Sequence, residues 1–518
     1  MTAAAYDLWM QAERAQDAKN LAAAEALYRR SLDASPGYPP SAIGLSTVLT
    51  RRGAHRESHA VLRSAAGLPL EHPALVFSMG QRLGYFNEFE ALERIMEDRR
   101  LLESSPPDVL ARCVVMLSSI NANASAQRLA EAALSKHPQA AALRYVRGNL
   151  HFFDGESDAA ESCYEATLAA NPRFFQASWM LASVRTQSAE RNHVDRLRRQ
   201  LGEVTRDGQG EAYLCYGLHK ELHDIGDYAG AWEALKRGCA VKRRLVQYDP
   251  APVAELIAAQ RAVCTSAFVR EGSPVEQPHV PIFIVGMHRS GTTLLERMLA
   301  GHPDVGDAGE TRAFDAQMEL AIDRSLPNGL DAMAVKSLAS ADFDRIARDY
   351  ARHASWLSRG KPFFTEKLPM NFWNVGMIAR AMPQARFIHL VRDPMDTCFS
   401  NLRTLFAGVA TYSYVQEELA GFFRAYRAMM AHWSEVLPGR VLDVRYDDLV
   451  AEPEATVLRV LEHCGLRPVE GLSDVARQGG RVSTASAGTA RQGVLRDRAG
   501  VWWHYEPQLA PMRERLAG

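Results

Sequence analysis

The fold of this chain is decided by the stretch Pro281-Ile282-Phe283-Ile284-Val285-Gly286-Met287-His288-Arg289-Ser290-Gly291-Thr292-Thr293-Leu294-Leu295. An apolar run of strand length leads into two glycines separated by four residues, and a segment with helical spacing follows. This pattern predicts a strand, a phosphate-binding loop and a helix, because the backbone N–H groups of such a loop attract an anion. Thr292 stands where an ATP-binding loop carries lysine. The replacement argues against ordinary ATP hydrolysis and favours a single 5′-phosphate, which backbone and hydroxyl donors can still bind.

The length and composition indicate two domains. The chain has 518 residues, more than one hydrophobic core usually supports, and a formal net charge of −1. This balance gives no electrostatic case for general binding to nucleic acid or to a membrane surface. The seven cysteines are odd in number, scattered and never spaced as C-x-x-C, which predicts a reducing cytoplasm and no structural zinc. Residues 1–7 lack a basic region followed by an apolar core, and no run reaches membrane-spanning length, so a cytoplasmic location is expected.

The first half of the chain repeats itself. Up to about residue 245 it is rich in alanine and leucine at helical spacing, and segment 24–36 (AEALYRRSLDASP) resembles segment 160–172 (AESCYEATLAANP). Prolines recur in steps of 37, 33, 32 and 34 residues, at Pro36, Pro73, Pro106, Pro138 and Pro172. This spacing resembles tetratricopeptide (TPR) repeats, in which each unit is a helical hairpin and a proline ends its second helix. Residues 1–245 are therefore predicted to form a TPR solenoid, with a further unit around 226–235.

A solenoid leaves an extended concave surface that usually holds a peptide or a partner protein. The alternative is that the repeats only brace the second half or mediate self-association, since a fold does not fix a function. The oligomeric state stays open.

The sequence pattern changes after residues 246–280, which read as a helix followed by a linker. From 281 to 518, helical segments separate strand-like runs at 282–285, 363–366, 387–391 and 441–444. This alternation predicts an α/β domain with a mostly parallel sheet flanked by helices, and its ligand chemistry is expected at the strand ends.

Four motifs in this second half carry a family resemblance. They are the loop 286–295, Gly309-Glu310-Thr311-Arg312, Glu366-Lys367-Leu368-Pro369, and Val391-Arg392-Asp393-Pro394 with Ser400. Together they resemble the sulfotransferases that use PAPS (3′-phosphoadenosine 5′-phosphosulfate), especially the tyrosylprotein-sulfotransferase branch, over about residues 281–518. The resemblance implies a P-loop-like fold, PAPS as co-substrate and no required metal.

The resemblance also implies a nucleotide site. The 5′-phosphate would be cradled by Arg289, Ser290, Gly291, Thr292 and Thr293. His288 stands where the animal enzymes carry proline, and we expect it to be a local hydrogen-bonding residue. The alternative is that it orients the acceptor or the phosphate, or takes part directly in proton transfer.

The 3′-phosphate would be clamped by Arg392 and Ser400, because arginine offers a fixed fork of donors and serine a second donor. Arg403 is a possible supplement, and an ion pair of Arg392 with a neighbouring aspartate is the alternative. Tyr446 resembles a family tyrosine near the adenosine, although a core aromatic is the other reading.

The catalytic residues are likewise implied by the resemblance. Glu310 matches the general base that takes the proton of the acceptor hydroxyl; the alternative is a partner of a helix dipole. Lys367 and Arg289 would place positive charge at the bridging oxygen, where it stabilises the transition state most; for Lys367, a simple ion pair with Glu366 is the alternative. Ser486 and Arg491, near the C-terminus, correspond to a closing segment that meets sulfonate and phosphate.

The leading hypothesis is a sulfotransferase that moves a sulfonyl group from PAPS to a hydroxyl, preferably a peptide or protein tyrosine presented with the help of the TPR half. A small phenol, a sugar or a lipid acceptor stays open. A P-loop kinase or NTPase would need magnesium and the missing loop lysine. A non-catalytic TPR scaffold with a nucleotide-binding domain is the third possibility.

Overall fold

The described residues of the N-terminal half form helices joined mostly by short turns, with a longer connection at 184–193. The computed structural model describes residues 2–70, 72–204, 206–406, 408–475 and 499–517. The helices before the first strand are α1 (Ala3–Asp17), α2 (Leu21–Ala34), α3 (Pro39–Arg52), α4 (His55–Ala65), α5 (Pro73–Tyr85), α6 (Phe89–Met96), α7 (Arg99–Ser104), α8 (Pro107–Ser119), α9 (Asn123–Lys136), α10 (Ala141–Asp154), α11 (Ser157–Ala170), α12 (Phe175–Ser183), α13 (Val194–Glu203), α14 (Gly208–Asp224), α15 (Tyr228–Leu245), α16 (Ala251–Val263) and α17 (Ser266–Arg270).

The predicted repeats are confirmed as helical hairpins. Pro36, Pro138 and Pro172 each lie two residues beyond the end of a second helix, because proline cannot continue the hydrogen-bond ladder. The tyrosines that the two similar segments share, Tyr28 and Tyr164, are both fully buried. Each ring packs on a glycine of a neighbouring helix so closely that a Cβ there would lie within 2.6 Å of it. The repeated sequence thus encodes a repeated helix-to-helix contact.

The C-terminal half is an α/β domain. Its strands are β1 (Val280–Gly286), β2 (Val305–Asp307), β3 (Phe363–Glu366), β4 (Arg386–Val391) and β5 (Val441–Arg445). Its helices are α18 (Thr292–Ala300), α19 (Ala313–Ile322), α20 (Ala332–Leu338), α21 (Phe343–Ser358), α22 (Val375–Ala381), α23 (Pro394–Leu402), α24 (Gln416–Val436), α25 (Tyr446–Ala451), α26 (Pro453–Cys464) and α27 (Ala510–Ala517), with 3-10 turns at Pro369–Trp373, Thr411–Tyr414, Val501–Tyr505 and Pro507–Leu509.

The five strands form one parallel sheet in the order β2-β3-β1-β4-β5. β1, which leads into the phosphate loop, is the central strand, and its residues from Ile282 to Val285 are fully buried. Because a parallel sheet has helices on both faces, its strands read as continuous apolar runs, which is the pattern that predicted them. The predicted parallel sheet is confirmed. β3 coincides with its predicted run, β4 and β5 are each one residue longer, and β1 is three residues longer, while the short strand β2 has no counterpart among the four predicted runs.

The solenoid packs on the α/β half at several places along its length. In α6, the ring of Phe89 stacks on Trp356 of α21 with the ring centres 5.1 Å apart. Near its end, Arg243 of α15 donates two hydrogen bonds to the carboxylate of Glu418, at 3.0 and 2.9 Å. One continuous group of buried apolar side chains runs from the repeats into the α/β half, so the two halves share a core.

The seven cysteines are all free thiols, and six of them are buried. Within the described ranges, we find no helix that combines the length and the apolar character needed to cross a membrane.

The domain boundaries that the sequence places at residues 245 and 280 stay predictions.

Candidate active site

The residues singled out by the sequence motifs lie at the carboxyl edge of the sheet. The loop 287–291 follows β1, Lys367 follows β3 and Arg392 follows β4, while Glu310 and Tyr446 follow β2 and β5. In a parallel α/β sheet all strands end at the same edge, where ligands bind. The sheet order therefore brings together five short segments that are far apart in the sequence.

The loop between β1 and α18 has the backbone geometry of an anion-binding cradle. Arg289 and Gly291 have positive φ angles of 68° and 108°, so successive N–H groups can turn towards one centre. Gly291 also permits a close approach: a Cβ there would lie 2.4 Å from the ring of Tyr446. Among the described residues, the buried Ser290 Oγ has no hydrogen-bond partner. A buried donor beside the N-terminus of α18 suits a bound phosphate.

A second cluster of donors joins this loop to α23. Arg289 Nε donates to Ser400 Oγ at 3.2 Å, and Arg392 donates to the carbonyl oxygen of Arg289 at 3.3 Å. The Arg392 guanidinium also lies 4.5 Å from the centre of the Tyr446 ring. Asp393 caps α23 by accepting a hydrogen bond from the Asp396 N–H at 2.9 Å. The structure thus brings the predicted clamp residues, Arg392 and Ser400, next to the phosphate loop.

Lys367 lies among the carboxylates of Glu310, Glu296 and Asp307. Its side chain is fully buried, it forms an ion pair and a hydrogen bond with Glu310, and its Nζ lies 3.6 Å from Glu296 of α18. Although burial alone lowers the pKa of Lys367, Glu310 and Glu296 outweigh it and raise that pKa above its ordinary value. The ammonium therefore stays protonated in the interior, and it holds Glu310 in place.

Of the two carboxylates behind Lys367, Glu296 is buried and Asp307 is partly buried. Burial raises the pKa of Glu296 well above its ordinary value and also raises the pKa of Asp307, and the two side chains share a hydrogen bond. Glu310 differs, because 43% of its side chain is exposed. Glu310 is therefore the carboxylate of this group that a substrate can reach.

The side chain of Glu366 points away from that of Lys367 and has different partners. Tyr350 donates to one of its oxygens at 2.8 Å, and Asn371 donates to the other at 3.2 Å. Side chains of successive residues leave a strand on opposite faces, which explains the separation. Over the part of the chain that the structure describes, the ion pairs of Lys367 are with Glu310 and Glu296, so the alternative pairing with Glu366 is not observed.

His288 forms local hydrogen bonds within the loop region, as expected. Its Nδ1 lies 2.9 Å from the hydroxyl of Tyr412, and its carbonyl oxygen accepts a hydrogen bond from Asn401 at 2.7 Å. Burial, with a contribution from the nearby Lys367 and Arg289 charges, lowers the pKa of His288 to about 4. The imidazole is therefore neutral at pH 7 and helps to anchor the loop to its neighbours.

The remaining predicted residues fall into two groups. Ser486 and Arg491 lie outside the described residues. Arg403 contacts His223 of the last repeat at 3.5 Å and lies over the ring of Phe399, 5.6 Å from its centre. The contact with His223 ties the end of α23 to the solenoid.

Several residues of the site lie outside the sequence motifs. Glu296 and Asp307 had no motif to mark them, and Tyr412 and Asn401 were equally inconspicuous. Glu296 lies on α18 one turn beyond the loop, where helical spacing could have indicated a position facing the strand ends.

Comparisons with known proteins agree with the motifs. Residues 281–470 match the model of the sulfotransferase family. An uncharacterized protein of Aquifex aeolicus is 29% identical over 382 residues, covering 70% of this chain and 48% of that protein. Protein-tyrosine sulfotransferase 1 of Danio rerio is 29% identical over 197 residues, covering 35% of this chain and 52% of that protein.

A mycobacterial protein is similar over a shorter region. Omega-hydroxy-beta-dihydromenaquinone-9 sulfotransferase Stf3 of Mycobacterium bovis is 29% identical over 112 residues, covering 20% of this chain and 29% of that protein. The chain spans about half the length of the Aquifex and Danio relatives that it matches. The whole carboxyl edge, from the phosphate loop to Tyr446, lies inside the region that matches the family.

Proposed function

We propose, from the sulfotransferase-family domain in the C-terminal half, that this protein moves a sulfonyl group from PAPS to the hydroxyl of an acceptor. One observation carries the proposal: a phosphate cradle, the neighbouring donors of Arg392 and Ser400, and the Lys367–Glu310 ion pair lie at the same sheet edge. PAPS, when bound, supplies an activated sulfonyl group and two phosphates. The fold alone would not justify this assignment, but the cradle and the clamp together match a nucleotide with two separate phosphates.

Different residues of the chain bind the two phosphates of PAPS. The loop N–H groups, Ser290, Thr292 and Thr293 hold the 5′-phosphate, and Arg392 with Ser400 holds the 3′-phosphate. Tyr446 supports both parts, because it packs under Gly291 and against the Arg392 guanidinium. A flat ring in this position also suits contact with the nucleoside.

The chemistry needs a base and positive charge. An oxygen–sulfur bond forms on the acceptor while the sulfur–oxygen bond to the 5′-phosphate breaks, so a proton must leave the acceptor and negative charge collects on the phosphate. Glu310 takes that proton, since its carboxylate is the exposed one. Lys367 and Arg289 stabilise the developing charge, which is worth most in a site that excludes water. Ser486 and Arg491 are proposed to complete the site.

The preferred acceptor is a tyrosine hydroxyl of a peptide or protein. Support comes from the similarity to a protein-tyrosine sulfotransferase and from the Gly309–Arg312 motif, while the TPR half adds a surface of the kind that holds peptides. The similarity to a menaquinone sulfotransferase supports a second candidate, a lipid alcohol.

The proposed domains are the repeats at 1–245, a helix and linker at 246–280, and the sulfotransferase domain at 281–518. The proposed location is the cytoplasm, which the seven free thiols support.

Titration with 3′,5′-ADP, the product of PAPS, tests the nucleotide site. At about 100 times its Kd the ligand adds roughly 2.7 kcal/mol to the stability of the protein, so a clear rise in Tm is expected. Arg392→Ala removes charge-assisted hydrogen bonds worth about 1.5–3 kcal/mol and should weaken binding by about 10- to 100-fold. Arg459→Ala, at an exposed arginine paired with Asp448, is the matched control and should bind as the wild type does.

Other outcomes of this titration would assign another function. A rise in Tm only with ATP and magnesium would favour a kinase or NTPase. No rise with either nucleotide would favour the non-catalytic scaffold.

An acceptor screen with [³⁵S]PAPS tests the transfer itself. We expect label on tyrosine-containing peptides and not on the same peptides with phenylalanine in place of tyrosine. The same plate should contain p-nitrophenol, monosaccharides and a long-chain alcohol. Label on the alcohol alone would assign a lipid acceptor, and label on none would contradict the proposed transfer.

A further inference from the structure

Glu310 faces a cavity whose opposite wall belongs to the repeats. The cavity has a volume of about 390 Å³, and Glu310, Thr311 and Arg312 line one side of it. Phe89 and Leu92 of α6, Met116 of α8 and the adjoining Ile120 line the other side. We infer that this wall of the solenoid forms the acceptor pocket with Glu310 and selects the acceptor. The inference rests on the proposed function and deepens it.

The lining can hold a phenol. The repeats contribute both apolar side chains, of which Met116 is the most accessible, and polar ones, while Glu310 offers a carboxylate. A hydroxyl carried on a flat apolar ring can place its proton at Glu310 while the ring contacts Met116. The polar side chains on the repeat side of the cavity are Gln81, Asn87 and Ser119.

The size of the cavity also favours an aromatic acceptor. At about 390 Å³ it lies at the small end of ligand pockets, so it suits one aromatic side chain better than a long lipid. A peptide tyrosine would insert its ring and leave its backbone outside, near the exposed Gln81 and Ser119 at the rim. The acceptor class is therefore an aryl alcohol, with the tyrosine side chain as its peptide form.

The wall is fixed relative to Glu310. Asn121, in the turn after α8, donates to the carbonyl oxygen of Asp307 at 3.0 Å, three residues before Glu310. Arg359, beyond α21, donates in turn to the carbonyl oxygen of Asn121 at 3.2 Å. Trp356, which stacks on Phe89, donates to Glu93 at 3.2 Å. Such anchoring on both sides holds a pocket at a set distance from the reacting group, as selection of an acceptor requires.

Neighbouring residues of α8 provide a matched test. Met116 faces the cavity, whereas Val115 is 51% exposed and does not line it. Met116→Trp should fill the pocket and raise the KM for N-acetyl-tyrosine amide at least 10-fold, with a smaller change in kcat. Val115→Trp should leave KM unchanged. Both variants should keep the rise in Tm with 3′,5′-ADP, which shows that they fold and bind the nucleotide.

A second variant, Met116→Ala, tests the same inference if Met116→Trp folds poorly. Met116→Ala enlarges the pocket and should raise kcat/KM for 2-naphthol relative to p-cresol by about 3-fold or more. Equal preference in this variant and in the wild type would overturn the inference, and so would equal KM values for the two tryptophan variants.

Binding without turnover separates the inference from the proposed function. N-acetyl-3-fluorotyrosine amide is added to protein loaded with 3′,5′-ADP, and its ¹⁹F line width is measured. Broadening that is lost in Met116→Trp but kept in Val115→Trp supports the pocket even if no sulfonyl transfer is found. No broadening with the wild type overturns the pocket, while transfer from [³⁵S]PAPS to another acceptor would leave the sulfotransferase proposal standing.

Discussion

Replacing Glu310 with glutamine is expected to lower kcat for sulfonyl transfer by about 10²- to 10⁴-fold, the range usual for loss of a general base. Glutamine keeps the shape of the side chain and can still accept a hydrogen bond from Lys367, but it cannot take the proton of the acceptor hydroxyl. The affinity for 3′,5′-ADP should stay within about 3-fold of the wild type, since the phosphate cradle and the clamp are untouched. Single-turnover transfer of ³⁵S separates this loss from slow product release.

An exposed glutamate of the repeats supplies the control for this result. Glu97→Gln, which affects only a surface ion pair with Arg128, should transfer sulfonyl groups at the wild-type rate. If Glu310→Gln kept full activity, another group would have to be the base. A different result would support the non-catalytic scaffold hypothesis: the wild type shows no detectable sulfonyl transfer, and Glu310→Gln still binds its partner and keeps its cellular role.

Replacing Lys367 with methionine is expected to reduce both the rate and the stability. Transfer should slow by about 10²- to 10³-fold, because an ammonium that stabilises charge on the departing phosphate is lost. Stability near pH 8 should fall by roughly 3–5 kcal/mol, the usual result of removing one partner of a buried ion pair. Among the described residues, Lys367 is the cation that lies beside Glu296, which is buried and 3.6 Å from the lysine nitrogen, so its loss would leave that carboxyl group unbalanced.

The stability loss should depend on pH in a defined direction. Burial already raises the pKa of Glu296 in the folded state, and Lys367 is the group that opposes this rise. Without the lysine, the folded protein holds a proton on Glu296 that the unfolded chain releases above about pH 4.3. The folded form is therefore favoured at low pH and loses stability as the pH rises through the folded-state pKa. Urea unfolding at pH 5.5 and pH 8 should show the variant closer to the wild type at pH 5.5.

A double variant separates the two effects. Lys367→Met with Glu296→Gln removes the buried charge, so most of the pH-dependent loss should disappear while the slow transfer stays. A double variant that recovered the transfer rate would show that Lys367 acts only by balancing charge. Equal destabilisation of the single variant at both pH values would show that Glu296 is not the group responsible.

Local sequence patterns were enough to predict the sheet and the phosphate loop. An apolar run followed by glycines at fixed spacing defines β1 and the turn into α18, and all of these residues are neighbours in the chain. The placement of Arg392 and Ser400 near the phosphate loop was also accessible, because both lie within two helical turns of the same strand end. These predictions needed no knowledge of which strand lies next to which.

The surroundings of Lys367 could not be predicted in this way. Its contact with Glu296 depends on β3 lying beside β1 and on which face α18 turns towards the strand ends, and neither is encoded locally. The wall of the cavity presents the same difficulty. Leu92 and Met116 occupy positions that read as ordinary repeat core, and only the docking of the solenoid brings them opposite Glu310.

The contact between Gly291 and Tyr446 restricts how this sequence can change during evolution. Any side chain at position 291 would collide with the ring, and a smaller residue at position 446 would leave the Arg392 guanidinium without the surface on which it lies. A single substitution at position 291, 392 or 446 is therefore expected to be harmful, because it damages a contact that the other two positions still need. In an alignment of descendants of this chain, the three positions should be inherited together or replaced together.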